Sequence, residues 1–343
     1  MIEIKEIKEE HDWHPEGILA QVPFQQAFWY GEMQSKRERE VRRFEMILEG
    51  EVRMCVQFVA YPLISGKKYW YAAYGPIIKN ADVHLLKCIE KECRALLAAP
   101  DVVFVRLDFS PPISLEFLSD AKKIFHKASN ASSSGSYFQP RSEWYTDISG
   151  SAEEILAAMH QKTRYSVRYA EKKGVKAEVI SGSDLLSHLP AFLDIMKDTA
   201  KRNGFSLHDD GYYKCFFEAV AERGNGFIVA AMHGEDLLAS HCIAIEGAVA
   251  HYVFGASSDK HKELCAPYLA HYMGMLEAKK RGALEYNFGG ISEEGAVPHF
   301  EGITAFKKKF GGHAFLHGGY FDIVVQPFWY YLYVLRKFLK SFV

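Results

Sequence analysis

The chain has little of what would tie it to a metal, a membrane span or a nucleotide cofactor. Its six cysteines, Cys55, Cys88, Cys93, Cys215, Cys242 and Cys265, form no CxxC pair and keep no regular spacing. That argues against a zinc ribbon or a disulfide framework and leaves reduced core thiols as the expectation. No run approaches the roughly 20 apolar residues that a membrane span needs. The start, Met1-Ile2-Glu3-Ile4-Lys5, alternates apolar and charged side chains without the basic-then-apolar layout of a signal peptide, so a cytoplasmic location is expected. GxSxG, Walker A and a dinucleotide GxGxxG context are missing, which removes the serine hydrolase, P-loop and Rossmann readings. His11-Asp12-Trp13-His14 is metal-capable in residue type, but no companion ligands follow at a recognisable spacing, and a surface turn is the expectation. Charge of one sign is also lacking: a net charge of -2 argues against a protein that coats nucleic acid, so any RNA contact requires a local basic patch.

What is present suffices for two domains. A chain of 343 residues is too long to grow comfortably around one core, and 48% hydrophobic with 24% charged residues can bury two. In the first half, aromatics at helix-compatible spacing run from Pro23 to Arg37. Strands are predicted over 44–49, 52–63 and 69–74, with Glu49-Gly50-Glu51 as a turn, a helix over 81–98, and a continuous apolar strand over 102–109 broken by Arg106 and Asp108. Ser129 to Ser136 reads as a loop. In the second half a helix is predicted over 152–173, with an N-cap offered by Ser149-Gly150-Ser151 and a stop at Gly174. A strand over 176–181 and helices over 184–203 and 212–223 follow. Next come a meander over 226–233, 236–246 and 248–256, a helix over 267–281, a strand over 285–288, a short helix over 300–310 and a strand over 315–325. Helix, helix, antiparallel meander, helix, strand is the order of an acetyltransferase-like α/β unit, and a less complete version precedes residue 146.

Several stretches carry chemistry. Between residues 162 and 176, Lys162, Arg164, Arg168, Lys172, Lys173 and Lys176 face one acid, Glu171. On a helix Arg164 and Arg168 lie one turn apart on one face, with Tyr165 and Tyr169 on the neighbouring stripe. Two guanidinium groups can grip a diphosphate while phenols take sugar or phosphate oxygens; a solvated basic face is the plainer reading. Phe306-Lys307-Lys308-Lys309-Phe310-Gly311-Gly312 offers a cation that could stabilise the oxyanion of an acyl-transfer intermediate, or simply surface lysines. Tyr252 lies where a strand end opens into a loop, the place where α/β sheets present functional groups; a buried strand tyrosine is equally open. Asp108 could accept a proton from an attacking amine or pair structurally with Arg106. The segment 327–343, aromatic and carrying Arg336, Lys337 and Lys340, reads as a helix suited to core packing or to a peripheral membrane contact.

The order and spacing of five phrases resemble the FemABX family: Arg164-Tyr165-Ser166-Val167-Arg168, Thr199-Ala200-Lys201-Arg202-Asn203-Gly204-Phe205, Phe254-Gly255-Ala256-Ser257-Ser258, Tyr286-Asn287-Phe288-Gly289-Gly290-Ile291 and Phe306 to Gly312. Phe24-Gln25-Gln26 to Trp29, Tyr71 to Tyr74-Gly75-Pro76 and Arg106-Leu107-Asp108 match more loosely. The resemblance implies an α/β (α+β) fold of two tandem GNAT-like acyltransferase domains, 1–146 with 326–343 and 147–325. With no heptad insert, the chain is similar to the compact FemX-like branch that has no coiled-coil arm. The implied activity is transfer of an amino acid from aminoacyl-tRNA to an amine of a peptidoglycan precursor, a UDP-linked or lipid-linked muramyl peptide, with no metal or redox cofactor. The resemblance puts Lys307 of the Phe306-Lys307 pair at the reaction centre, Tyr252, Tyr74 and more weakly Tyr71 against the precursor, and Lys36 near its nucleotide. The alternative is an N-acyltransferase with another donor such as acyl-CoA, or one acting in exopolysaccharide assembly. The stretch Lys260 to Pro267 lacks the glycines of a pyrophosphate-cradling turn, which counts against CoA.

Overall fold

The computed structural model describes residues 2–19, 21–110, 114–127, 139–292 and 301–340; the loop expected from Ser129 to Ser136 lies outside them. The chain divides into two units, 1–141 with 316–343 and 142–315.

The first unit contains β1 (Ile2–Glu6), α1 (Phe28–Lys36), β2 (Val41–Leu48), β3 (Glu51–Pro62), β4 (Lys68–Ala72), β5 (Ile77–Ile78), α2 (Val83–Leu97), β6 (Val102–Phe109), α3 (Leu115–Ile124) and β7 (His126–Lys127). From the far end of the chain it takes β15 (Gly319–Val324) and α10 (Pro327–Lys340). The sheet runs β1-β2-β3-β4-β6-β15-β7, with β5 paired to β3. Among the described residues, only β4 and β6 pair in parallel within it. Every residue of β6 is buried, as expected of a central strand covered on both faces: α2 and α3 pack on one side around Leu85, Ile89 and Phe117, and Tyr330 of α10 packs on the other with Tyr69 and Phe104.

Two expectations are corrected here. The strand expected over 315–325 as part of the second domain is split, and its longer piece, β15, lies antiparallel to β6 with Asp322 opposite Arg106. Arg106 does not pair with Asp108. Its Nε and Nη2 donate to the two carboxylate oxygens of Asp322 at 2.8 and 2.7 Å, and the Tyr330 hydroxyl adds a bond at 2.9 Å. Asp322 is fully buried, and a two-point guanidinium-carboxylate bond is the geometry that makes such burial tolerable.

The second unit begins with β8 (Ser142–Asp147), α4 (Ala152–Ala158), α5 (Gln161–Lys172), β9 (Lys176–Ser181), α6 (Asp184–Asn203) and α7 (Asp210–Arg223). It continues with β10 (Gly226–His233), β11 (Asp236–Glu246), β12 (Val249–Ser257), α8 (Ala266–Lys280), β13 (Glu285–Ile291), α9 (Glu301–Lys308) and β14 (His313–Leu316). Its sheet runs β14-β8-β13-β12-β11-β10-β9; β12 and β13 are parallel. The single helix expected over 152–173 is two. Ser151 and Glu154 form a capping box that starts α4, Met159 turns extended, and the His160 side chain accepts from the Lys162 N–H to cap α5. Among the described residues no helix is long and apolar enough to cross a membrane.

Asp322→Ala strands the Arg106 charge in the core, and urea unfolding is expected to show a loss of about 3 to 5 kcal/mol. Arg106→Leu combined with Asp322→Leu removes both charges and recovers most of it.

Candidate active site

In the second unit the parallel strands β12 and β13 are paired only where Val249, Ala250 and His251 face Glu285, Tyr286 and Asn287, although both continue beyond. Two irregularities accompany the divergence. A bulge sets Cys242 and Ile243 of β11 against Phe254 and Tyr252 of β12, leaving Val253 as the extra residue. A second shifts the register of β13 against β8 between Asn287 and Gly290. There Gly289 has φ +73°, the left-handed region that glycine enters without steric cost, and its N–H donates to Asn287 Oδ1 at 2.6 Å. Bulges bend strands and re-aim side chains, and so recur beside active sites.

Lys307, on the last turn of α9, occupies this opening. Its Nζ donates to the Gly290 carbonyl at 2.6 Å, and the residue is only 7% exposed. Burial pulls its pKa down to about 8, and the carboxylate of Glu143 partly offsets the shift. An ammonium carries three N–H donors; one is spent on Gly290. A wall of rings stands beside it: Phe306 lies 4.9 Å from Tyr268 and 5.6 Å from His271. Tyr252 lies 4.6 Å from His271 and 4.9 Å from His241. Burial raises the Tyr252 phenol, which keeps it a donor at neutral pH. Burial lowers His271 well below its usual value and His241 to about 3, so both imidazoles are neutral. The Tyr252 hydroxyl sits over Gly255, where a Cβ would come within 1.5 Å of it. The chemistry on offer is a partly desolvated cation with N–H groups to spare, among neutral donors, suited to charge developing on an acyl oxygen.

A second set gathers in the first unit. The parallel pair β4 and β6 is in register to Ala72 and Leu107; beyond it the Asp108 N–H donates to the Gly75 carbonyl at 2.8 Å. Asp108 accepts from the Tyr71 hydroxyl at 3.0 Å and the Tyr74 N–H at 3.3 Å. Tyr71 is buried. Tyr74 has φ +52° and packs its ring 4.3 Å from His317. Asp108, Arg141, His317 and Tyr320 line a cleft of about 200 Å³. Lys36 is exposed at the last position of α1.

The residues expected on one helix face separate by role. Arg164 Nη1 donates to the carbonyls of Ala157 and Met159 at 3.1 and 2.5 Å, closing the turn between α4 and α5. Arg168 and Tyr165 are exposed, and Tyr165 stacks on Tyr169 with centroids 5.7 Å apart. Sequence reasoning missed Glu143, His241 and His271. Their relation to Lys307 and Tyr252 is made across strands and a helix, and no local pattern announces it. Gly289 and Gly290 did stand in a recognised phrase, and an Asn-x-Gly step marks a tight turn.

The family model described as "FemAB family" matches residues 8–241 and 231–337. A Lipid II:glycine glycyltransferase of Staphylococcus aureus (strain USA300) is 23% identical, over 93% of this chain and 92% of the relative. Among solved structures, a crystal structure of FemX superposes with a TM-score of 0.77 at 18% identity, covering 96% of this chain and 99% of that one. A tandem GNAT protein from the clavulanic acid biosynthesis pathway gives a TM-score of 0.53 at 10% identity, covering 95% and 99%.

Gly255→Ala drives a methyl group into the Tyr252 phenol and forces that ring to move. The expected cost is about 1 to 3 kcal/mol in urea unfolding. Gly302→Ala, in open space on α9, is the control, with a gain below about 1 kcal/mol.

Proposed function

The chain belongs to the FemAB family, a family of transferases, and on that premise we propose that it moves an aminoacyl group from tRNA to an amine of a peptidoglycan precursor. The observation that carries the reading is Lys307, a buried ammonium held by the Gly290 carbonyl in the opening between two diverging strands. In the reaction a primary amine attacks the ester carbonyl. A C–N bond forms, the C–O bond to the ribose breaks, the amine gives up a proton and the ribose oxygen takes one. The carbonyl oxygen is negative in between, and a pre-placed cation in a poorly solvated site lowers that barrier more than it tightens ground-state binding. Lys307 takes this part, with Phe306 and Tyr252 shaping the space in front of it.

Asp108, with Tyr71 and Tyr74 fixing its carboxylate, is the candidate acceptor for the amine proton. Tyr74 and Lys36 are candidate contacts for the precursor. The acceptor in the related glycyltransferase is lipid II by name, which favours a lipid-linked muramyl peptide and glycine as the residue moved. Exposed Phe328, Tyr331, Leu335, Phe338 and Leu339 on α10, with no acidic residue in the helix, suit a peripheral contact with the membrane that carries such an acceptor.

The deciding experiment incubates the purified protein with labelled glycyl-tRNA and lipid-linked muramyl pentapeptide, beside an acyl-CoA thiol-release assay. Label in the pentapeptide is expected; thiol release without label would move the protein to the acyl-CoA reading. Lys307→Met is expected to lower kcat by roughly 100-fold or more with a melting temperature no lower than the parent's. The sign follows from the lowered pKa. At pH 7 the folded protein carries a buried charge that the unfolded chain solvates, a cost of up to about 3 kcal/mol that disappears as pH rises from about 8 toward the unfolded value. An oxyanion role needs the ammonium, so turnover is expected to fall as pH passes about 8, and Lys307→Arg should move that limb upward.

A further inference from the structure

We propose that the outer face of α5 is a docking surface for a base-paired RNA stem, and that through it the protein holds the acceptor arm of its donor. The inference rests on the transfer reading for the identity of the donor, and on the geometry of α5 for the surface. Thr163, Val167 and Ala170 are the buried side of this helix. On the other side Lys162, Tyr165, Arg168, Tyr169, Lys172 and Lys173 recur at three- and four-residue steps, which places them on one face. Tyr165, 65% exposed, and Tyr169 are stacked along the middle of it, with the cations on both flanks. Lys173 lies 5.5 Å from the Tyr169 ring.

Three features select the ligand. The first is charge: between residues 162 and 176 six basic residues meet the single acid Glu171, in a chain whose net charge is -2. None of Lys162, Arg168, Lys172 or Lys173 is engaged by a carboxylate among the described residues. The second is length. From Lys162 to Lys173 the helix rises about 16 Å, too long for one phosphate or one headgroup and suited to a run of several phosphates. The third is the exposed pair of phenol rings, whose hydroxyls can reach the ribose 2′-hydroxyls that a base-paired RNA presents along its shallow minor groove and that a free phosphate does not offer. The face also leads toward the candidate centre within its own unit. The His160 N–H, at the start of α5, donates to the carbonyl of Lys309 at 2.9 Å, and Lys309 follows Lys307 by two residues. Arg164 is not part of the surface, because its guanidinium closes the turn behind it.

The test measures binding of the full chain to an unacylated RNA hairpin that carries a tRNA acceptor stem and ends in ACCA, across a salt series. The variant Lys162→Ala, Arg168→Ala, Lys172→Ala, Lys173→Ala changes only exposed side chains. It is expected to weaken binding roughly tenfold or more and to flatten the slope of log K against log salt by about two to four. Tyr165→Ala and Tyr165→Phe are each expected to weaken binding roughly threefold to tenfold, the loss of one hydrogen bond. In turnover, the quadruple variant should raise KM for full-length aminoacyl-tRNA and leave kcat unchanged. A minimal donor, an amino acid esterified to a short ACCA-end oligonucleotide without the stem, should react as with the parent. Unchanged affinity and salt slope, or no hairpin binding by the parent, would overturn the proposal. So would a variant defect confined to vesicles containing phosphatidylglycerol. A parent that turns over neither donor removes the transfer reading instead, while hairpin binding still decides the face.

Discussion

Two parallel strands that stop pairing while both continue must have their backbone polar groups met by something other than each other. That constraint organises the second unit. β12 and β13 share three residue pairs and then separate; the Gly290 carbonyl beyond the split is met by Lys307, and the Gly289 N–H by Asn287. The rest of the site depends on this opening. The bulge in β12 fixes where Tyr252 stands, Gly255 makes room for its hydroxyl, and the aromatic wall of Phe306, His271 and Phe288 keeps water from the flank of the ammonium.

The first unit uses the same device with the opposite charge. Its parallel pair, β4 and β6, also parts near the end, and what stands at the split is the carboxylate of Asp108, held by Tyr71 and Tyr74. Each unit thus holds one charged group where a parallel strand pair parts. Neither is comfortable. Lys307 bears the desolvation that lowers its pKa, and Asp108 is almost wholly buried. Groups held at such a cost in stability are characteristic of sites kept for chemistry.

Much of this was legible in the chain. The helix Asp184–Asn203 and the strands Lys176–Ser181, Gly226–His233 and Asp236–Glu246 stand where periodicity and turn residues put them. Their ends are marked locally: Gly204 takes the left-handed conformation that ends α6, and Gly234 turns the hairpin between β10 and β11. The break between α4 and α5 was not legible, because no glycine or proline marks it. Met159 and His160 leave the helix through the cap that His160 makes and through the carbonyls that Arg164 takes. The basic face of α5 was visible in outline, but not that one of its two arginines is spent on the backbone.

Sequence by itself determined most of the secondary elements, the two-part organisation, the family resemblance and the candidacy of Lys307, since each of these is written in local spacing or in the order of short phrases. Tertiary structure alone decided which partner each charge has. Arg106 finds Asp322, 216 positions away, rather than its near neighbour Asp108, because residues that face each other across two strands are set by register and not by distance along the chain. That pairing also carries β15 into the first unit's sheet, where an apolar stretch read in isolation could not say which core it would join. The depressed pKa of Lys307 has the same origin: a lysine in a short helix is a surface cation until the neighbouring strands open, present a carbonyl and exclude the water around it.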